Sequence, residues 1–337
     1  MVRIKDIAER AGVSATTVSN VIHHKAGKVS PELVEKIERI IREMNYVPSL
    51  SARMLANESS GILGVAVGYP ERSLHLPLED PFVASLIGHL EHAIRELGYY
   101  MMLLTKRSME EILQESRAWN FDGLIAFGFS QEEFEALREA FDKPIVTIDS
   151  YFDRRYPRVC NVGTDDFDGG YQIGRFLLNR GHRDILFVAD NDLGVDHLRW
   201  EGFRKAMAEA GLEHLDDMRL MVPWDYEPRL RRYDELLGLL RRQTALFFCS
   251  DYNAVEAMNH LRRRGVDIPG ELSVAGFDDI VYARTCWPPL TTVHQPVDKK
   301  AALAVEMLGR MLRGERVDGP EPKVSVHVVE RQSVCAR

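Results

Sequence analysis

The chain has 337 residues, of which 45% are hydrophobic and 28% are charged, and its net charge at pH 7 is −8. These proportions are typical of globular proteins and exclude disordered, collagen-like and disulfide-scaffold classes. The length exceeds what one hydrophobic core usually organises, so we expect two or three folding units. The opening MVRIKDIAER has no apolar core of a secretory signal and no apolar run is long enough to span a membrane, so we expect a cytoplasmic protein with no membrane partner.

Charge is distributed unevenly along the chain. Residues 1–60 contain nine Lys/Arg and seven Asp/Glu, a balance of +2, which leaves −10 for residues 61–337. An acidic surface repels DNA because DNA is a polyanion. Any contact with nucleic acid is therefore expected in the N-terminal segment alone.

The first 47 residues contain three short amphipathic helical patterns. Gly12 suits the end of the first helix, Ser14 suits the N-cap of the second, and Ser30 followed by Pro31 suits the start of the third. Each pattern places its apolar residues on one face: Ile4, Ile7, Ala8 and Ala11 in the first, Val18, Val21 and Ile22 in the second, and Val34, Ile37, Ile40, Ile41 and Met44 in the third.

Three such helices, with a glycine turn between the first two, predict a helix-turn-helix domain. In such domains the second helix enters the DNA major groove. The face of the second helix opposite its apolar residues is small and polar, which suits the reading of base edges. Periodicity alone also permits a structural bundle or a protein-docking module.

The stretches IKDIAERAGVSATTVSNVI and KVSPELVEKIERIIREMNYVPSLSARMLA closely resemble the head and hinge of the lactose/galactose repressor (LacI/GalR) family. The resemblance implies that double-stranded DNA is a partner and that Ala15, Thr16 and Asn20 read bases. Asn20 stands where the family often has Arg. Because Asn prefers adenine whereas Arg prefers guanine, we expect the outer operator bases to differ from the common ones. The resemblance places four further residues near phosphates or the groove edge: Ser14, Thr17, Ser19 and His23.

Residues 48–60 resemble the hinge of the same family. Pro48 ends the third helix, and Ser49 suits the N-cap of the short helix SLSARMLA, which is marginal alone in water. The resemblance implies that this helix orders on DNA, pairs with its twin in a homodimer, and inserts Leu55 into a minor-groove step. The free-energy cost of unstacking that step is offset because the bent duplex makes more contacts with the protein. Ser49 and Arg53 are further expected DNA contacts, and the alternative for Leu55 is simple packing.

From Ile62 onward, strand-like apolar runs alternate with helical patterns in two similar series, which predicts two α/β lobes with parallel sheets. The family resemblance continues through NRGHRDILFV, RWEGFRKAM, LFFCSDYNAVEAMNHL, GVDIPGELSVAGFDD and PPLTTVHQPV, and so covers nearly the whole chain. The expected fold is an all-α helix-turn-helix head joined to an α/β periplasmic-binding-protein-like effector domain of two doubly wound parallel-sheet lobes.

The expected boundaries follow from these patterns. They are a helix-turn-helix domain at 1–47, a hinge helix and linker at 48–60, and an effector-binding and dimerisation domain at 61–337. The N-lobe is expected at about 61–160 plus 295–320, and the C-lobe at about 161–292 plus 323–335, which contains the strand-like run VSVHVVERQ. No leucine heptads follow that run, so we expect a homodimer rather than a tetramer.

Ligands of open parallel sheets bind beyond the carboxyl ends of the strands, so polar residues after each predicted strand are candidates for effector binding. The family resemblance maps sugar-binding positions onto Asp149, Arg199, Ser250 and Asp278. An aromatic residue, Phe277 or Trp224, would stack on a sugar face. A structural ion pair is the alternative for Arg199, and helix capping is the alternative for Asp278. The candidate set is Asp149, Arg199, Ser250, Asp251, Phe277 and Asp278.

Motifs for catalysis, cofactors and metals are missing from the sequence. GxGxxG after the first strand, a Walker loop and a GxSxG elbow do not occur. The four cysteines form no CxxC pair, and DNDLG lacks the later ligands of a calcium loop. We therefore expect no enzyme activity, no cofactor and no metal site.

The sequence thus predicts a sequence-specific transcriptional repressor of carbohydrate-utilisation genes. It is expected to bind a pseudo-palindromic operator as a homodimer and to respond allosterically to a small sugar or glycoside. The alternatives are a sugar-binding transport receptor and an enzyme built on the same bilobal fold.

Overall fold

The structure is a computed structural model that describes residues 2–22, 29–46, 59–68, 76–105, 109–152, 156–239, 242–317 and 319–337. The chain divides into a small unit, residues 1–60, and a large unit, residues 61–337. Within the described ranges, no helix is both long enough and apolar enough to cross a membrane.

The small unit contains three helices, α1 (Ile4–Ala11), α2 (Ala15–Ile22) and α3 (Pro31–Glu43). The caps predicted from sequence are confirmed. Gly12 follows α1 with φ +73°, and the Oγ atoms of Ser14 and Ser30 accept hydrogen bonds from the backbone N–H groups three residues later, at 3.1 and 3.4 Å. The core of the unit forms around side chains that are fully buried in α1, α2 and α3: Ile7, Val18 and Ile37.

The large unit contains two six-stranded sheets with the same strand order. The strands of the N-lobe are β1 (Ile62–Val67), β2 (Tyr100–Leu104), β3 (Gly123–Phe127), β4 (Ile145–Ile148), β5 (Val159–Thr164) and β11 (Lys323–Val324). Those of the C-lobe are β6 (Ile185–Ala189), β7 (Arg219–Met221), β8 (Ala245–Phe248), β9 (Ser273–Asp278), β10 (Thr291–His294) and β12 (His327–Val329). The N-lobe sheet is parallel throughout, in the order β2-β1-β3-β4-β5-β11, and the C-lobe sheet has the order β7-β6-β8-β9-β10-β12, with only β12 antiparallel.

Helices cover the sheets because both faces of a parallel sheet are apolar and must be buried. The N-lobe core packs against α4 (Pro81–Glu96) and α12 (Val297–Leu312), and the C-lobe core packs against α7 (Asp166–Asn179), α8 (Gly194–Glu209) and α10 (Asp251–Arg263). The remaining helices are α5 (Met109–Ala118), α6 (Gln131–Ala140), α9 (Tyr226–Leu239) and α11 (Val281–Thr285), and short 3-10 turns occupy Pro77–Glu79 and Leu215–Met218.

The expected lobe boundaries need two corrections. Strand β5 continues to Thr164 inside the N-lobe sheet, beyond the expected limit at residue 160. Residues 323–332, which include the run VSVHVVERQ and were assigned as a whole to the C-lobe, are divided between the sheets: Lys323 and Val324 pair with β5, and His327–Val329 pairs with β10. The chain passes between the lobes three times, as the expected boundaries imply, but the first passage comes after Thr164 and the third lies between β11 and β12.

Helices α7 and α8 meet through glycine. A Cβ atom added to Gly170 would lie 2.0 Å from the carbonyl oxygen of Arg199, and one added to Gly202 would lie 1.8 Å from that of Phe167. Only glycine permits two backbones to approach so closely. This contact brings the start of α7 beside the first turns of α8, where Asp166 and Arg199 lie.

We expect Gly202→Ala to destabilise the large unit because the added methyl group meets a backbone atom that cannot rotate away. Overpacking of this kind costs about 1–3 kcal/mol, which corresponds to a fall in Tm of roughly 2–10 °C. Differential scanning calorimetry of the full chain measures it. The matched control is Gly238→Ala in α9, where an added Cβ meets nothing within 4 Å. An unchanged Tm in Gly202→Ala would contradict the close helix contact.

Candidate functional site

The predicted DNA-reading residues lie on and beside α2 in the small unit. Ser14 and Thr16 are exposed, and Ala15, Thr17, Ser19 and Asn20 are partly exposed, whereas Val18 and Val21 are buried against α1 and α3. The Oγ atoms of Ser14 and Thr17 are 2.9 Å apart. The exposed face of α2 therefore offers hydroxyl and amide groups without any charge, which suits contact with base edges. The predicted contacts at His23, Ser49, Arg53 and Leu55 lie outside the described residues.

A cavity of about 340 Å³ lies between the lobes of the large unit, at the carboxyl ends of the strands. Its wall includes Gly128 after β3, Asp190 after β6 and Ser250 after β8. These positions adjoin the points where the strand order reverses, which is where doubly wound sheets bind ligands. Four of the six predicted effector residues line it: Asp149, Arg199, Ser250 and Asp278.

Arg199 is buried in the floor of the cavity, with 5% of its surface exposed. Its Nε donates to Asp166 Oδ1 at 2.8 Å, and its Nη1 donates to the carbonyl oxygen of Cys249 at 2.5 Å. Although burial opposes the charged form, the negative charges of Asp166 and Asp278 raise the pKa of Arg199. The ion pair considered as an alternative for Arg199 is therefore present, and the guanidinium also reaches the cavity wall.

Phe277 and Asp251 are placed differently from the sequence prediction. Both are fully buried, and neither lines the cavity. The guanidinium of Arg199 lies 3.7 Å from the ring centroid of Phe277, so the ring packs beneath the cation and not on a ligand. The carboxylate of Asp251 accepts hydrogen bonds from Thr292 Oγ1 at 2.5 Å and Ile280 N at 3.0 Å. Successive side chains of a strand alternate in direction, so Phe277 faces inward while its neighbour Asp278 faces the cavity. Asp251 is the first residue of α10 and faces inward, whereas the N-cap Ser250 lines the cavity.

Ser250 and Asp278 have clear local roles. Ser250 is the N-cap of α10, because its Oγ accepts a hydrogen bond from Tyr252 N at 3.1 Å. Asp278 caps no helix, since the residue before α11 is Ile280. Instead Asp278 Oδ1 accepts a hydrogen bond from Gln295 Nε2 at 2.6 Å. Burial raises the pKa of Asp278 even though the charge of Arg199 opposes the rise.

A buried polar network crosses between the lobes behind the cavity. Lys300 Nζ donates to Asp149 Oδ2 at 2.6 Å and to Gln295 Oε1 at 2.7 Å. Thr164 Oγ1 donates to the same oxygen of Gln295 at 3.0 Å. Because Gln295 also binds Asp278, the two aspartates at the carboxyl ends of the equivalent strands β4 and β9 are connected through Lys300 and Gln295. Both aspartates have positive φ, 52° at Asp149 and 116° at Asp278.

Sequence reasoning missed Lys300 and Gln295, together with Asp166 and Tyr151. A signal for Lys300 exists, because it lies on the apolar face of α12 with Ala304 and Leu308 one and two turns later, and it is fully buried. The hydroxyl of Tyr151 donates to Asp166 Oδ2 at 2.9 Å, so a single carboxylate binds one residue from each lobe.

One carboxylate oxygen of the network, Asp149 Oδ1, is buried and has no hydrogen-bond donor among the described residues. Asp149 also lines the cavity. A buried carboxylate oxygen without a donor is costly. The arrangement can therefore gain stability from a ligand that donates a hydrogen bond at this point. Within the same ranges, no group of three or more His, Cys, Asp or Glu side chains is placed to hold a metal ion.

Comparison with known proteins covers both units. The model of bacterial regulatory proteins of the lacI family matches residues 3–49, and the model of a periplasmic binding protein-like domain matches residues 175–334. The HTH-type transcriptional repressor PurR of Edwardsiella ictaluri (strain 93-146) is 32% identical over 349 residues, which cover 99% of this chain and 97% of that protein. PurR of Pasteurella multocida (strain Pm70) is 30% identical over 344 residues, which cover both chains completely.

Two solved structures are similar along nearly the whole chain. The transcriptional regulator CelR in complex with cellobiose has a TM-score of 0.73 at 26% identity, over 99% of this chain and all of that one. The lac repressor dimer bound to operator and the anti-inducer ONPF has a TM-score of 0.81 over 99% of both chains, and at 24% identity this likeness shows the fold alone. These relatives are transcriptional regulators. With a lacI-type head, a periplasmic-binding-protein-like body and full-length relatives at 30% and 32% identity, the chain belongs to the lacI family of bacterial regulatory proteins and is a DNA-binding transcriptional regulator.

Proposed function

We propose that this regulator is a cytoplasmic homodimer that represses carbohydrate-utilisation genes, and that a sugar or glycoside bound between its lobes changes its affinity for a pseudo-palindromic operator. No catalysis is part of this function. The observation that carries the proposal is the donor-free Asp149 Oδ1 on a cavity whose walls come from both lobes. A ligand there contacts both lobes at once.

The cavity suits a hydroxyl-rich ligand. Ionised carboxylates only accept hydrogen bonds, and sugar hydroxyls supply donors. Trp224 lines the cavity and is 41% exposed, so an aromatic ring lies on the wall that the apolar face of a sugar ring would contact. The cellobiose complex of the related regulator CelR supports a carbohydrate in the corresponding fold.

The network behind the cavity provides a route for coupling. A ligand that donates a hydrogen bond to Asp149 Oδ1 binds the same carboxylate that Lys300 binds. Lys300 also donates to Gln295, and Gln295 in turn donates to Asp278 of the other lobe. Differential binding to two lobe arrangements changes operator affinity, with a coupling of about 1–3 kcal/mol, or roughly 5- to 150-fold, in typical allosteric proteins.

The expected operator supports the homodimer. A pseudo-palindromic site has two half-sites related by two-fold symmetry, and two copies of the chain supply one head for each half-site.

For DNA reading, we expect Asn20→Ala to weaken binding to the selected operator by about 5- to 150-fold, because a bidentate amide contact to a base discriminates by roughly 1–3 kcal/mol. The operator is first obtained by selection from a random duplex pool. Fluorescence anisotropy then measures affinity for the operator and for random duplex at one salt concentration. Equal losses on both duplexes would show that Asn20 does not read a base.

For effector binding, we expect Trp224→Ala to lower the affinity for the sugar identified in a panel of mono- and disaccharides by about tenfold, because one stacked ring is lost. Isothermal titration calorimetry measures this affinity, and anisotropy measures release from the operator. The matched control is Trp119→Ala, since Trp119 has a similar exposed fraction of 44% and does not line the cavity. Equal affinities in the two variants would place the sugar elsewhere.

A further inference from the structure

The wall of the cavity between the lobes is strongly acidic. Among the described residues, six carboxylates and two guanidinium groups line it: Glu79, Asp80, Asp149, Asp190, Asp196 and Asp278, against Arg199 and Arg229. Each guanidinium already has a carboxylate partner outside the wall. Arg199 pairs with Asp166 and is shared with Asp196 and Asp278 of the wall, and Arg229 binds Glu256 through two hydrogen bonds of 2.6 and 3.0 Å. The positive charges are therefore already balanced before any ligand binds.

Three of the wall carboxylates have a cationic partner. The fully buried Lys300 holds Asp149, and Arg199 Nη1 lies 3.7 Å from Asp278 Oδ1 and 4.0 Å from Asp196 Oδ1. Asp80 accepts from the backbone N–H of Phe82, and Asp190 and Asp196 both accept from the side-chain amide of Asn191. Amide donors satisfy the hydrogen-bonding capacity of a carboxylate but leave its charge in place. The cavity therefore keeps an excess of negative charge.

Two of these carboxylates come from opposite lobes. Asp80 precedes α4 in the N-lobe, and Asp190 follows β6 in the C-lobe. Burial raises the pKa of Asp80, and the charge of Asp190 raises it further. The charge of Asp80 also adds to the rise in the pKa of Asp278, which is dominated by burial. Like charges thus face each other across the cleft, and they oppose the approach of the lobes.

We propose that the effector carries a positive charge as well as hydroxyl groups, as an amino sugar or another polyhydroxylated amine does, and that phosphorylated and carboxylated sugars are excluded. This inference rests on the proposed function of the same cavity as a sugar site. The ammonium group binds between Asp80 and Asp190, and a hydroxyl group donates to Asp149 Oδ1.

The chemistry of the wall favours an amine over a neutral sugar for two reasons. An ammonium group brings three donors to a surface of acceptors. It also cancels charge that a neutral hydroxyl group leaves in place, and such cancellation is worth more in a partly desolvated cleft than in water. An anionic ligand is repelled, because carboxylate partners already neutralise the charges of both Arg199 and Arg229. Only the amine allows Asp80 and Asp190 to approach each other.

The test compares sugars that share one ring skeleton and differ in the charged group they carry. D-glucose, D-glucosamine, D-glucose 6-phosphate and D-glucuronate form one set, and cellobiose and the β-1,4-linked glucosamine disaccharide form a second. Isothermal titration calorimetry of the full-length protein is run in buffer with EDTA, so that a divalent cation cannot occupy the acidic wall. We expect the amine of each set to bind at least tenfold more tightly than its neutral counterpart, and the anions not to bind.

Asp80→Asn is the diagnostic variant, because asparagine caps α4 as well as aspartate does and differs only in charge. We expect the preference for the amine to fall below threefold. Without ligand, the Tm of the variant is expected to rise by about 2 °C, because a partly buried charge that Asp190 repels is removed. Asp216→Asn is the control for the same charge change, since the side chain of Asp216 is 92% exposed; neither quantity should change in it.

The outcomes separate the two proposals. If a neutral or anionic sugar binds as tightly as the amine, or if Asp80→Asn leaves the preference intact, the charge inference is wrong while the sugar-responsive regulator stands. If no sugar of any charge binds, both proposals fail.

Discussion

The buried ion pair between Arg199 and Asp166 is the interaction on which the cleft depends. Both residues are almost fully removed from solvent, so separation of the pair would leave an uncompensated charge in the interior, which is strongly destabilising. The pair exists because Gly170 and Gly202 let α7 and α8 touch backbone to backbone. Asp166 also accepts a hydrogen bond from the hydroxyl of Tyr151, which lies in the other lobe. One carboxylate at the first crossover thus fixes the floor of the cavity and ties it to the opposite wall.

Much of the fold follows from local sequence patterns. Helix caps at Gly12, Ser14 and Ser30 and the two alternating series of strands and helices are confirmed. Local patterns cannot show which sheet a short strand joins. The last strand-like run is split because its two ends pair with different sheets. Strand β11 pairs with β5, more than 150 residues earlier in the chain, and β12 pairs with β10. Periodicity contains no such long-range information.

The cleft was predicted in part. Position after a strand was enough to find Asp149, Ser250 and Asp278 on the cavity wall. It was not enough for Phe277 and Asp251, because strand position fixes the edge of the sheet and not the direction of each side chain. Lys300 and Gln295 come from a later crossover, and only the assembled lobes bring them beside Asp149 and Asp278.

The division of the last strands has a consequence for synthesis on the ribosome. Strands β11 and β12 complete the outer edges of both sheets, against β5 and β10. Until residues 323–329 have left the exit tunnel, both lobes expose an unpaired strand edge, which is a template for association with other chains. The N-lobe therefore cannot complete its sheet before the strands of the C-lobe have been synthesised, and the two lobes do not fold as independent units in sequence. Both edges are closed almost simultaneously by one short segment of the chain, after all the other strands of both sheets have been synthesised.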